Sequence, residues 1–432
     1  MPAHPLPGRA DPVRTGGRVR APRGLEPEAS GAGAVPRVLP LEPAPLLPQA
    51  PRRRVRRARA PARALRDVPA RSRVARAPAD PKRLARLVRP NLLAHGALFR
   101  ARPAVTVSPR VVVSIVTCDS APHLAACLRS LSEQRYRDLE IRLWDNASTD
   151  GTLEIAGGRM ELFAATHFSS RNLGFSAAHN RIIAETRSDY VLVCNPDVVL
   201  EPGFVEVLVD ALDRDPAAGS ATGKLRRLDP AAWTGSEAKR ILDTTGIYFT
   251  PNQRHLDRGS GEVDAGQYER REYVFGASGA AAFYRRRMLE EVRADQEYFD
   301  EAFFAYREDA DLAWRAQWLG WRCLYVPEAR GFHARRVLPE RRSQLPPDIN
   351  MHSLKNRFLM RVKNMDLGTY ARFFPQITAR DLAAAAYVLA RERSSLRAVP
   401  LFWRALPRAL QVRRALSRHR RVSPGEMRRW FS

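Results

Sequence analysis

Between Val111 and Leu212 the apolar positions change period repeatedly, from the unbroken or alternating runs of strands to the three-and-four spacing of helices. Val111-Val-Val-Ser-Ile-Val-Thr117 is rich in β-branched residues and predicts a first strand. Leu124, Leu128 and Leu131 then recur at helical spacing, with Ala125 and Cys127 beside them, and predict an amphipathic helix. Residues 141–144 predict a second strand that stops at Asp145, and Ser148-Thr-Asp-Gly151 opens the next helix. A third strand over 162–168, a helix over 176–186, a fourth strand over 190–194 and a helix over 204–212 complete the series. Strand and helix in strict alternation imply right-handed βαβ units and a mainly parallel sheet.

The fourth strand carries the clearest signal. Tyr190-Val-Leu-Val-Cys-Asn-Pro-Asp197 is an apolar run suited to burial on both faces, and it ends in turn chemistry with Asp197 at its tip. In open α/β sheets ligands bind beyond the carboxyl ends of the strands, so an acid there is placed to meet a ligand or a metal. The alternative is that Asp197 caps a helix starting near Glu201. Past Gly219 the pattern loosens into extended pieces around 241–249 and 280–284, with a polar loop over 252–267. A helix over 308–319 and a strand over 323–326 then follow.

Composition narrows the class. The chain of 432 residues has ample length for a core. Its longest apolar runs, 111–116 and 382–390, fall short of the roughly 18 to 20 residues of a membrane span, and the N-terminus lacks the apolar stretch of a secretion signal. A cytoplasmic protein is expected. Four cysteines stand singly in apolar segments, which reads as reduced core residues. The net charge of +26 suggests nucleic acid until it is divided: roughly +16 lies in the first hundred residues and roughly +16 beyond residue 334, leaving about −6 between. Residues 1–104, rich in Pro, Arg and Ala, predict a disordered tail whose block Arg52-Arg-Arg-Val-Arg-Arg57 is read as solvated.

Several polar constellations sit where the pattern predicts strand ends. Asp145-Asn-Ala-Ser-Thr-Asp-Gly151 follows the second strand, and its acid can accept hydrogen bonds from a base or ribose or form a surface Asx turn. Asn172-Leu-Gly-Phe175 and Asn180 lie after the third strand, where Gly174 would permit close backbone approach. In Phe299-Asp-Glu-Ala-Phe-Phe-Ala-Tyr-Arg-Glu-Asp-Ala-Asp311 aromatic residues surround acids at a helix start. That setting suits a general base, although first-turn acids of a helix would look the same. His333 follows the last strand and gains meaning only if Asp197 needs a further ligand.

In order and spacing these motifs resemble the glycosyltransferases of family 2, with the GT-A fold, and in particular their bacterial rhamnosyltransferase-like branch. The resemblance runs from Val111 to His333 and adds Leu242-Asp-Thr-Thr-Gly246 and Gly276-Ala-Ser-Gly279 to the motifs above. It implies an α/β domain over 105–340 with a mainly parallel, Rossmann-like sheet, followed by a basic helical extension over 341–432. It implies that Thr117, Asp145, Asn172, Gly174 and Asn195 hold a nucleotide-sugar, and that Asp197 and His333 hold Mg²⁺ or Mn²⁺. Asp309 becomes the catalytic base with Glu308 beside it, while Gly276, Ser278 and Asp311 face the acceptor. The implied reaction is inverting transfer of a sugar, with L-rhamnose as a candidate, to a glycan or polyprenyl-diphosphate-linked acceptor. Cys118-Asp119, Arg181-Ile182 and Glu297-Tyr298 depart from the family pattern and bear on substrate choice.

The extension reads as helices broken at Pro400 and Pro407. Its apolar stripe of Leu396, Val399, Trp403, Leu406 and Leu410 is flanked by Arg393, Arg397, Arg404 and Arg408. Such a stripe fits either a hairpin packed on the catalytic domain or peripheral contact with an anionic membrane. A catalytically silent nucleotide-sugar module and a nucleic-acid-binding protein using its basic ends are the rival readings. The second lacks any recognition motif, so no specific nucleic acid is expected.

Overall fold

The computed structural model describes residues 110–228, 241–335 and 346–431. The tail over 1–104, with its arginine block, and Arg336, Arg341 and Arg342 lie outside the described residues.

The alternation expected from the sequence is present. β1 (Val111–Thr117), α1 (Ala121–Ser132), β2 (Leu139–Asp145), α2 (Thr152–Gly157), β3 (Phe163–Phe168), α3 (Gly174–Ala184) and β4 (Tyr190–Cys194) follow one another. β3, β2, β1 and β4 lie side by side and parallel. β4 shows why its sequence is apolar without alternation. Tyr190, Leu192 and Cys194 pack into a core with β1, β2 and α1, while Val191 and Val193 enter a second core on the opposite face of the sheet.

After β4 the structure departs from the expectation. Asp197 does not cap a helix: a short strand, β5 (Val198–Leu200), follows and pairs with the last strand of the sheet. α4 (Phe204–Arg214) begins only after Gly203. β6 (Ala218–Arg227) then runs as a long central strand where the sequence reads as loose. Its small residues answer to packing rather than to β-propensity. A Cβ on Gly223 would lie 2.3 Å from the carbonyl oxygen of Ala329, and one on Gly219 would lie 2.5 Å from Met288 Cγ.

β7 (Leu242–Thr244), β8 (Ile247–Phe249), β9 (His255–Asp257) and β10 (Glu272–Val274) lead to β11 (Ala281–Arg285), α5 (Arg286–Val292), α6 (Glu308–Trp318) and β12 (Arg322–His333). β11 sits antiparallel between β4 and β6, and β12 is parallel to β6. β12 passes through Pro327, where the apolar run suggested a stop at Val326, because an irregularity between Val326 and Arg330 absorbs the proline. The result is the GT-A arrangement that the resemblance implied, a mainly parallel sheet with helices on both faces, in which β11 and the short strands β5, β7 and β10 are reversed.

α7 (Pro347–Asn364), α8 (Leu367–Arg372), α9 (Phe374–Arg391), α10 (Ala398–His419) and α11 (Pro424–Arg428) form the C-terminal region. The expected breaks at Pro400 and Pro407 do not occur. Pro400 sits in the first turn of α10, where amides have no intrahelical partner, and Pro407 lies inside a continuous helix. Ala409, Val412 and Leu416 bury one face of α10, while Val399, Trp403 and Leu410 remain exposed on the other. Phe431, near the end of the chain, is fully buried with ring centroids 5.1 Å from Trp314 and 5.7 Å from Phe249, so this region is keyed into the core of the α/β fold.

Candidate functional site

The parallel strands deliver their polar ends to one edge. Thr117 and Asp145 are cross-strand partners, and Thr117 Oγ1 donates to Asp145 Oδ2 at 2.8 Å. Ser148 adds its amide to Asp145 Oδ1 at 2.9 Å and its hydroxyl to Oδ2 at 2.5 Å. Asn146 bridges to the next loop, donating to the carbonyl of Gly174 and accepting from the amide of Leu173. Asn172 accepts from the Gly174 amide at 2.8 Å, and its Nδ2 lies 3.3 Å from Cys118 Sγ. The close approach that Gly174 permits, at φ +84°, is to Phe304. A Cβ there would meet the Phe304 carbonyl oxygen at 2.5 Å.

Asn195-Pro196-Asp197 leaves β4 at the same edge, and Asn195 and Asp197 line a cavity of about 400 Å³. Ser278, Glu308, Asp309 and His333 share that lining, so five expected site positions from four separate segments meet there with Asp197. The loop entering α6 is strained: Phe304, Tyr306 and Arg307 all have φ between 65° and 73°. It sets Glu308 and Asp309 in the first turn of α6. Asp309 Oδ2 accepts from the Gly279 amide at 2.9 Å, and Oδ1 from the Ala310 amide. Burial raises the Asp309 carboxyl above the usual aspartate range despite the opposing Gly279 hydrogen bond. Burial also raises Glu308, followed by the neighbouring Asp309 charge, and Glu308 Oε2 has no hydrogen-bond partner.

His333 stands between two carboxylates. Its Nε2 lies 3.3 Å from Asp197 Oδ1 and its Nδ1 lies 2.8 Å from Asp243 Oδ2. Burial acts to lower its pKa, but the hydrogen bonds to Asp197 and Asp243 prevail and lift it to about 9. Arg335 Nε pairs with Asp243 Oδ1 at 2.8 Å and reaches Asp257 at 2.6 Å through its terminal nitrogen. Among the described residues no group of three or more His, Cys, Asp or Glu side chains is arranged to hold a metal by itself. The pair Asp197 and His333 nonetheless suits part of a cation's shell. A carboxylate oxygen and an imidazole nitrogen face each other in the cavity, and Asp243 orients the far ring nitrogen, as a carboxylate hydrogen-bonded to a metal-bound histidine does.

Thr117, Asp145, Asn172 and Gly174 stand at the strand edge outside that lining, and two further expected positions lie elsewhere. Asp311 is fully buried and held by Arg315 at 3.0 Å, Lys363 at 2.8 Å and Asn364 at 2.8 Å, so it faces a core ion cluster and not an acceptor. Gly276 packs against α6, where a Cβ would meet Ala313 at 2.4 Å. Conversely, the sequence reading assigned no role to Asp243, His255, Asp257, Tyr306 or Arg307. His255 and Asp257 fall within the polar loop expected over 252–267, although their i, i+2 spacing is that of two side chains on one strand face. Arg307 NH1 meets His255 Nδ1 at 2.7 Å, and burial, then the Arg307 charge, drives that imidazole down to about 3.

The sequence pattern of glycosyl transferase family 2 matches residues 112–293. An N-acetylglucosaminyl-diphospho-decaprenol L-rhamnosyltransferase of Mycobacterium tuberculosis is 32% identical over 238 residues, covering 51% of this chain and 75% of the relative. Among solved structures, a mannosyltransferase of Pyrobaculum calidifontis in complex with GDP-Man and Mn²⁺ aligns with a TM-score of 0.42 at 18% identity, over 78% of this chain and 91% of that one. TarS of S. aureus in complex with UDP-GlcNAc aligns with a TM-score of 0.45 at 14% identity, over 72% and 83%.

Proposed function

The chain belongs to glycosyl transferase family 2, and from that premise we propose that it is an inverting, divalent-cation-dependent transferase moving a sugar, with L-rhamnose the favoured candidate, onto a polyprenyl-diphosphate-linked acceptor of envelope glycan synthesis. The observation that carries the reading is the meeting of Asp197, Asp309 and His333 on the wall of one cavity beyond the strand ends. The transferred sugar and the acceptor class are taken from the mycobacterial relative, whose name specifies both.

In this mechanism Thr117, Asp145 and Asn172 form the base and ribose end of the donor site, while Asn195 lies nearer the diphosphate. Asp197 and His333 would hold Mg²⁺ or Mn²⁺ together with donor phosphate oxygens; a bound cation neutralises charge on the departing diphosphate. Asp309 accepts the proton of the attacking hydroxyl. Its raised pKa makes it a better base than an exposed aspartate, and the amides of Gly279 and Ala310 fix its orientation. Burial and the neighbouring Asp309 charge disfavour the ionised form of Glu308, which lessens negative charge beside the base. A single displacement inverts the anomeric centre.

We place the enzyme at the inner face of the plasma membrane. No helix among the described residues is long and apolar enough to cross a membrane. Support for peripheral contact comes from α9 and α10, which expose Leu382, Leu389, Val399 and Trp403 among the exposed Arg391, Arg393, Arg397 and Arg404.

The test is a panel of nucleotide-sugars, dTDP-L-rhamnose included, offered with a GlcNAc-diphospho-polyprenol acceptor. Transfer from one donor class is expected, abolished by chelation and restored by Mn²⁺ or Mg²⁺, with NMR of the product showing the opposite anomer. Turnover undiminished by chelator, or a product of retained configuration, would overturn the corresponding part.

A further inference from the structure

A second cavity of about 250 Å³ opens beside the first and shares Arg307 and Ser353 with it. Two helices build its walls. Leu354 and Arg357 look into it from α7, and Arg380, Ala384, Tyr387 and Val388 fall at helical spacing on one side of α9. Asp381 ties the helices together by accepting from Arg357 and, at 2.6 Å, from Arg361, so the cleft is braced at its edge. Among the described residues that line it there are three arginines and no carboxylate.

Apart from Ser353 the other lining residues are apolar or aromatic, and the apolar surface continues around α9. Leu382 is 66% exposed and Leu389 57% exposed on the outer side of that helix. The acids of this region are turned inward, Asp381 to the arginines of α7 and Glu392, which is buried, to Ser395. A basic cleft that adjoins the candidate active site and opens onto an exposed apolar helix matches a ligand with an anionic head and a hydrocarbon tail.

We infer that this cleft seats the phosphate groups of a lipid-linked acceptor. Arg357 and Arg380 hold the phosphates, Tyr387 and Val388 carry the first part of the chain, and the acceptor sugar passes Arg307 to reach Asp309. The assignment rests on the transferase reading given above and adds to it the residues that recognise the acceptor's anionic link.

Calorimetry on the full chain with farnesyl diphosphate, inorganic pyrophosphate and farnesol separates the contributions. Farnesyl diphosphate should bind more tightly than either fragment, and Arg380→Gln should weaken it about tenfold or more while leaving donor affinity unchanged. Tyr387→Ser should weaken farnesyl diphosphate and leave pyrophosphate alone. Farnesyl diphosphate should also inhibit transfer competitively against the lipid-linked acceptor and not against the donor, a measurement that needs no variant. Pyrophosphate binding as tightly as farnesyl diphosphate would reduce the cleft to a simple anion site and overturn the lipid assignment. Unchanged acceptor KM in Arg380→Gln would overturn the cleft while leaving the transferase reading intact. Arg380-dependent binding without transfer to any polyprenyl acceptor would do the reverse.

Discussion

Asp145 and Asp309 both stand at the working edge of the same fold, and they are treated in opposite ways. Asp145 is 1% exposed and receives three hydrogen bonds, all from Thr117 and Ser148, so its orientation is fixed. Asp309 receives two amides and a buried glutamate beside it, and burial raises its pKa. The parallel half of the sheet is therefore a frame whose polar ends satisfy one another. The half built by β6, β11, β12 and α6 holds charges under tension. Variants in the frame should register mainly in stability and donor affinity, and variants in the second half mainly in rate.

The sharpest break of that contrast would come at Asp309. Asp309→Asn should lower kcat by about 10² to 10⁴ with donor affinity and melting temperature preserved; turnover within about threefold of the parent would remove it from the role. Next in size, Asp197→Ala should weaken cation-dependent binding of the nucleoside diphosphate by about 10- to 100-fold in calorimetry, while binding without added metal stays the same.

A smaller effect of the other kind is expected in the frame. Thr117→Val keeps the shape and removes one donor to Asp145, which should cost about 1 to 3 kcal/mol in denaturant unfolding. An unchanged midpoint would show that the frame is not held by these bonds. Glu308→Gln should act in the opposite direction. A carboxyl whose folded pKa lies above its unfolded value favours folding below the unfolded pKa, and that contribution is lost as pH rises through the folded pKa. Removing it should raise the melting temperature near pH 7 relative to the parent, with the gain shrinking toward acid pH. Finally, because the Asp309 carboxyl is raised, the acid limb of kcat/KM should fall above the roughly pH 4 of an ordinary aspartate.

Much of the first half was legible because its signals are local. β1 and β4 stand at the bounds that their apolar runs suggest, and Asp145 and Asp197 follow strand ends as turn chemistry indicates. β6 was illegible for a definite reason: Gly219, Ser220, Gly223 and Lys224 are chosen by close neighbours and by a buried ion pair. Lys224, wholly buried, meets Asp264 at 3.1 Å. Asp311 misled in the same manner, since adjacency to Asp309 along α6 turns it toward a different face, where Lys363 and Arg315 wait.

The order of strands and helices up to β4, and the acids at the strand tips, follow from the sequence alone, since hydrophobic period and turn chemistry act over a few residues. Tertiary structure alone decided which of those acids share a cavity, because that depends on which strands become neighbours. The pairing of His333 with Asp243, ninety positions apart, and of Arg335 with Asp257 exists only once β7, β9 and β12 are brought together. So does the raised pKa of Asp309, which is a property of what surrounds a side chain and not of the side chain's place in the chain.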